Sequence, residues 1–243
     1  MHSFWEHLDE LRTVILRCLA VWAVCAVALF CLREPLFDFL FAPAKSDFVL
    51  FRWLDWPLMS PRFINTQLAA QFVTHVRVAA WAGLVASFPV LLWLIFRFVA
   101  PALYTNEKHA TLRIMTFGTL LFFVGMAVNF LIVFPITFRF LYNYQVLPEV
   151  GNYIDLNSYI STLLTMSLLF GIVFEMPLVA WAMGKAGLVR AEQLQHYRRH
   201  AVVALTILAA AITPTGDAFT LLLVTLPLYG LYEISILLVK QNT

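Results

Sequence analysis

Residues 158–183 read SYISTLLTMSLLFGIVFEMPLVAWAM, an apolar run interrupted by Phe174-Glu175-Met176-Pro177. At about 1.5 Å per helical residue, the run is long enough to cross a bilayer core roughly 30 Å thick. Its single carboxylate, Glu175, has no basic residue in the same span. An ionised group at that depth costs roughly 3 kcal/mol even on lenient insertion scales. Glu175 is therefore expected to face protein or a water-filled cavity, or to be protonated. Pro177 lacks a backbone donor, which leaves the Val173 carbonyl without its helical partner. A kink beside a buried acid shapes a polar pocket in a helical bundle. The competing reading is a structural kink with a neutral, hydrogen-bonded Glu175. The rarity of intramembrane acids outside functional sites favours the first.

The whole chain supports a membrane assignment. Its 243 residues are 62% hydrophobic and 12% charged, and mean hydropathy is +0.83. Soluble domains carry about 25% charged residues, so the fold class is all-α and polytopic. A net charge of +2 argues for no nucleic-acid partner. Cys18, Cys25 and Cys31 all fall in the first apolar span, without metal-ligand spacing, and read as small apolar residues. No metal or cofactor is expected. The acidic N-terminus and the lack of a small-residue cleavage site predict a retained first span rather than a cleaved signal.

In chain order, residues 1–12 predict an amphipathic surface helix. Phe4, Leu8 and Leu11 share one face, and Glu6, Asp9 and Glu10 the other. Juxtamembrane helices are usually basic, to suit anionic lipid. An acidic one suits a cationic partner, or is a solvated face. Span one is expected over Val14–Leu32. Residues 33–75, rich in aromatics and broken by Pro35, Pro43, Pro57 and Pro61, predict an external cap of short helices at the water–lipid boundary. Span two is expected over Val78–Phe96, kinked at Pro89, and span three over Ile114–Phe134, ending at Pro135 and Arg139. Span four is the opening stretch. Span five, Ala201–Thr213, is only about 20 Å long. Span six runs from Ala218 past Pro227 towards Glu233 and is also expected to be short.

Orientation follows the basic residues. Arg12 and Arg17 precede or enter span one. Arg97, Lys108 and Arg113 flank the second loop, and Lys185, Arg190, Arg198 and Arg199 the fourth. The third loop has Arg139 alone and the fifth has none. The long first loop carries Arg33, Lys45, Arg52, Arg62 and Arg77, but short loops decide. Both termini are expected on the cytoplasmic side of a six-span, single integral membrane domain covering 1–243.

There is no phosphate-binding glycine loop, no nucleophile elbow and no HExxH zinc motif. No nucleophile has an identifiable base, so the chain is not read as an enzyme. What remains is a set of acids near the inner face: Glu10 before span one, Glu107 between spans two and three, and Glu175 roughly 13 Å deep. Paired guanidinium groups bind carboxylates in bidentate fashion, more strongly when partly buried. By physics alone this is a site for a cation or basic peptide. The alternative is a secondary, proton-coupled transporter working through Glu175, although such proteins usually show internal repeats and none is visible here.

Five motifs in order resemble one family. His7-Leu8-Asp9-Glu10-Leu11-Arg12 is similar to the HLxELR motif of the TatC family, the signal-peptide receptor of twin-arginine protein translocation. Phe98-Val99-Ala100-Pro101-Ala102-Leu103-Tyr104 with Glu107 resembles its first cytoplasmic loop, and Phe174-Glu175-Met176-Pro177 its FExP motif. Thr213-Pro214 with Asp217, and Leu226-Pro227-Leu228 with Tyr232-Glu233, resemble its last two spans. The loop Thr213-Pro214-Thr215-Gly216-Asp217 has one residue more than the family's T-P-x-D.

The resemblance implies a concave, glove-like bundle in the bacterial inner membrane that exports folded proteins independently of Sec, driven by the proton motive force. It implies that Glu10 and Glu107 contact the two arginines of the leader, that Phe98 packs there and that Arg12 supports the site. Glu175 and Pro177 would meet partner helices or an inserted leader, and Pro43 and Asp217 would serve on the external side. Implied partners are twin-arginine signal peptides, TatA- and TatB-type single-span proteins, membrane lipids and further copies of the chain.

Overall fold

The computed structural model describes residues 4–45, 47–57, 59, 61–103, 108–145, 147, 151–213 and 217–240. The helices are α1 Phe4–Phe30, α2 Arg33–Leu40, α3 Val49–Trp53, α4 Ala70–Leu103, α5 Lys108–Val128, α6 Phe134–Asn143, α7 Leu156–Phe174, α8 Met176–Lys185, α9 Ala191–His196, α10 Arg198–Ile212 and α11 Ala218–Lys240. A 3-10 turn covers Ala42–Ala44 and a π segment covers Asn129–Val133. The only strands among the described residues are β1 Phe63–Ile64 and β2 Ile154–Asp155, paired in parallel. The protein is a helical, polytopic membrane protein. Five segments of the described residues are long and apolar enough to span: Leu8–Phe30, Ala70–Phe98, Met115–Asn143, Leu156–Lys185 and Ala218–Lys240. The segment expected as a short fifth span corresponds to α10, 15 residues or about 22 Å, which is not among these five.

Two compact units divide the chain: Met1–Phe37 with Gln71–Leu120, and Asp38–Ala70 with Leu121–Thr243. In the first, α1 and α4 run antiparallel. Phe30 stacks on His75 with ring centroids 4.1 Å apart, and Trp22 Nε1 donates to the Ala80 carbonyl at 2.8 Å. The two backbones nearly touch at Gly83, where a Cβ would lie 2.6 Å from the Ala26 Cα. Glycine there lets two apolar helices approach without a hydrophobic driving force between them. The expected surface helix and span one form a single helix, α1, because no proline or glycine separates residues 4–30. None of its apolar window is buried, and Val24 and Val27 are about 70% exposed.

The second unit has a ring cluster around Tyr159, whose hydroxyl donates to the Leu40 carbonyl at 3.0 Å. Phe41, Phe63, Phe134 and Phe138 surround it at 5.1–5.3 Å between centroids. α11 lies along α8 and forms a hairpin with α10. Gly125 meets the Phe170 carbonyl and the Phe174 ring so closely that a Cβ would come within 2.7 Å of that oxygen.

Three expectations about element length need correction, and all involve proline. Span six is not short: α11 runs through Pro227 for 23 residues, about 34 Å. Span three does not end at Pro135. The proline removes the donor for the Leu131 carbonyl, the ladder widens into the π segment around that carbonyl, and helix resumes to Asn143. The loop expected from Arg97 is shorter, because α4 continues through Pro89 and Pro101 to Leu103. A lipid core offers no water to freed backbone groups, so continuing the helix beats breaking it.

Candidate functional site

Glu10 and Arg12 lie on the exposed surface of α1. Phe98, half-buried, lies near the end of α4. The antiparallel crossing brings them to the same end of the helix pair. Counted from the Phe30–His75 contact, Glu10 lies roughly 30 Å and Phe98 roughly 35 Å along their helices. Glu107 and Tyr104 lie outside the described residues, as do Pro214 and Ser3.

The intramembrane acid belongs to the second unit. Pro177 has no N–H to give the Val173 carbonyl, and the helix divides at Glu175, which ends α7 and starts α8. The Glu175 amide turns back to the Ile172 carbonyl at 3.1 Å, and the Val179 amide restarts the ladder on the Glu175 carbonyl at 3.0 Å. Pro177 is buried. Glu175 is half-buried, and its Oε1 is enclosed without a hydrogen-bond partner. Among the described residues no basic side chain pairs with it.

Pro43 is buried in the 3-10 turn. Asp217 caps α11, with Oδ1 accepting from the Thr220 amide at 2.7 Å.

Sequence reasoning missed two polar features. Asn129, completely buried in the π segment, donates through Nδ2 to Ser167 Oγ at 2.9 Å, while its Oδ1 has no partner. The signal was an amide inside an apolar run. Arg139 was read as an end marker. Its guanidinium instead lies over two rings of residues 48–57, a long-range contact that no local pattern encodes. Glu233, read within a span motif, accepts from Arg198 at 2.7 Å and from the Tyr229 hydroxyl at 2.7 Å. This pair ties α10 to α11.

Long apolar helices and a span broken at an acid with one enclosed, unpaired oxygen define a polytopic helical membrane protein with a polar site inside its apolar helices. The family model "Sec-independent protein translocase protein (TatC)" matches residues 6–227. The chain belongs to the TatC family. Relatives of that name include one from Blattabacterium sp. subsp. Periplaneta americana, 31% identical over 96% of this chain and 93% of the relative. Another, from Desulforapulum autotrophicum, is 34% identical over 96% of this chain and 83% of its own. A crystal structure titled "Twin Arginine Translocase Receptor- TatC" superposes with a TM-score of 0.82 at 30% identity, covering 98% of this chain and 99% of that one. The same receptor in DDM gives 0.84 at 30% identity, over 97% and 100%. The chain is thus a multi-pass inner-membrane component of Sec-independent protein translocation, and the secondary-transporter reading finds no support in these matches.

Proposed function

We propose that this chain is the subunit that receives twin-arginine signal peptides of folded cargo, without turning them over. Glu10 and Glu107 take the two guanidinium groups, Phe98 packs against the leader, and Arg12 holds the acidic end of α1 in place. The observation that carries this reading is the placement of exposed Glu10 and half-buried Phe98 at one end of the antiparallel α1–α4 pair. Carboxylates at a half-wet surface bind guanidinium in bidentate geometry, which lysine does not reproduce. The site therefore prefers paired arginines to paired lysines.

The same reading assigns the break at Glu175 and Pro177 to the docking of TatA- and TatB-type helices or of an inserted leader. It assigns Pro43 and Asp217 to the external side, places both termini in the cytoplasm, and has copies associate within the translocase. The test is the affinity of the purified chain, in detergent, for a fluorescent twin-arginine leader. Glu10→Ala and Glu107→Ala are each expected to weaken binding by about ten-fold, the scale of one lost charge-assisted contact. Unchanged affinity in both variants overturns the assignment.

A further inference from the structure

The end of α6 carries a cation whose hydrogen bonding is incomplete. The Arg139 guanidinium carbon lies 4.8 Å from the Trp56 ring centroid and 5.3 Å from that of Phe51. Nη2 donates to the Pro57 carbonyl at 3.0 Å. Nη1 is enclosed and has no hydrogen-bond partner. Among the described residues no carboxylate pairs with this cation. The rings and Pro57 fix the plane of the guanidinium, so it is pre-oriented, and no described carboxylate compensates its charge.

Beside it opens a cavity of about 360 Å³, lined by Trp56, Arg139, Phe140, Asn143, Tyr144 and Phe219 among others, none of them acidic. Phe140 and Phe219 stack at 4.4 Å. Phe219 is 43% exposed and Tyr144 65%. The site lies at the end of the apolar segment Met115–Asn143, the level at which aromatic residues meet the lipid headgroups. A fixed cation, a neighbouring carboxamide and an exposed ring wall at that depth match an anion that carries an apolar body. Phosphate offers a guanidinium a charge-assisted, bidentate acceptor that a neutral headgroup lacks.

We propose that Arg139 and Asn143 seat the phosphate of an anionic phospholipid, with its glycerol and first methylenes against Phe140 and Phe219. A free phosphate would satisfy the guanidinium but gain nothing from the rings. The lipid gains from both, because seating its methylenes against the rings removes apolar surface from water.

The full chain in detergent is titrated with phosphatidylglycerol, with phosphatidylcholine of the same acyl chains, and with soluble glycerol phosphate, and bound lipid is counted by native mass spectrometry. The wild type is expected to bind phosphatidylglycerol about ten-fold tighter than either competitor. Arg139→Gln is expected to lower that affinity to the phosphatidylcholine level. Asn143→Leu leaves the ring cage of Arg139 intact and decides the matter if Arg139→Gln does not fold. It is expected to weaken phosphatidylglycerol about three-fold or more. Wild-type affinity in every variant that folds overturns the proposal. So does equal binding of the two lipids, or of glycerol phosphate and phosphatidylglycerol, by the wild type.

Discussion

Glu175 sits where the helix ladder is broken, and its Oε1 is enclosed by the protein rather than open to lipid. This placement sets the tolerance of the position. Gln keeps the shape and an acceptor and adds no charge, whereas Lys adds a cation with no acid beside it. Glu175→Gln is expected to give near wild-type yield and thermal midpoint in detergent, and Glu175→Lys a clear loss of folded protein. Equal loss in both contradicts a neutral acid in a protein-lined pocket. At this scale the sequence was legible where chemistry is local. A lone acid in an apolar run and a proline two residues on announce themselves. Arg139 was not legible, because Phe51, Trp56 and Pro57 reach it from a distant loop.

Among elements, α7 shows how a span starts. Asp155 caps it, accepting from the Ser158 amide at 3.0 Å, while Thr66 donates its hydroxyl to the same carboxylate at 2.9 Å. These bonds hold the Asp155 carboxyl below its ordinary value of 3.8. The folded value is the lower one, so the cap contributes fully above the unfolded value. Its contribution falls away as pH drops through the lowered folded value. Asp155→Ala is expected to cost about 1 kcal/mol at neutral pH. The gap to wild type should close as thermal melts are taken into the acid range, and a gap that persists or widens there contradicts the cap. Hydropathy located every long helix because an apolar run has one solution in lipid. It misplaced the ends of α4, α6 and α11 because prolines that stop soluble helices do not stop these. In α11 the Thr225 hydroxyl donates to the Leu221 carbonyl at 2.7 Å in the turn before Pro227.

For the whole molecule, composition gave the class and motif order gave the family, and neither alone gave both. Acids near one membrane face imply only a cation site. It is the order of HLDELR, FVAPALY, FEMP and the last-span motifs along the chain that points to one family, and the twin-arginine leader is the cation proposed on that basis. The bare face of α1 and the enclosed Glu175 fit a chain that works in contact with other membrane proteins. The central claim is that the α1 end near Glu10 receives the leader's arginine pair. The direct measurement places a photocrosslinking residue at Phe98 and presents a folded cargo with either paired arginines or paired lysines in its leader. The account predicts a crosslink to the arginine leader that is largely lost with lysines. A crosslink of equal yield for both leaders, or none to either, would contradict it.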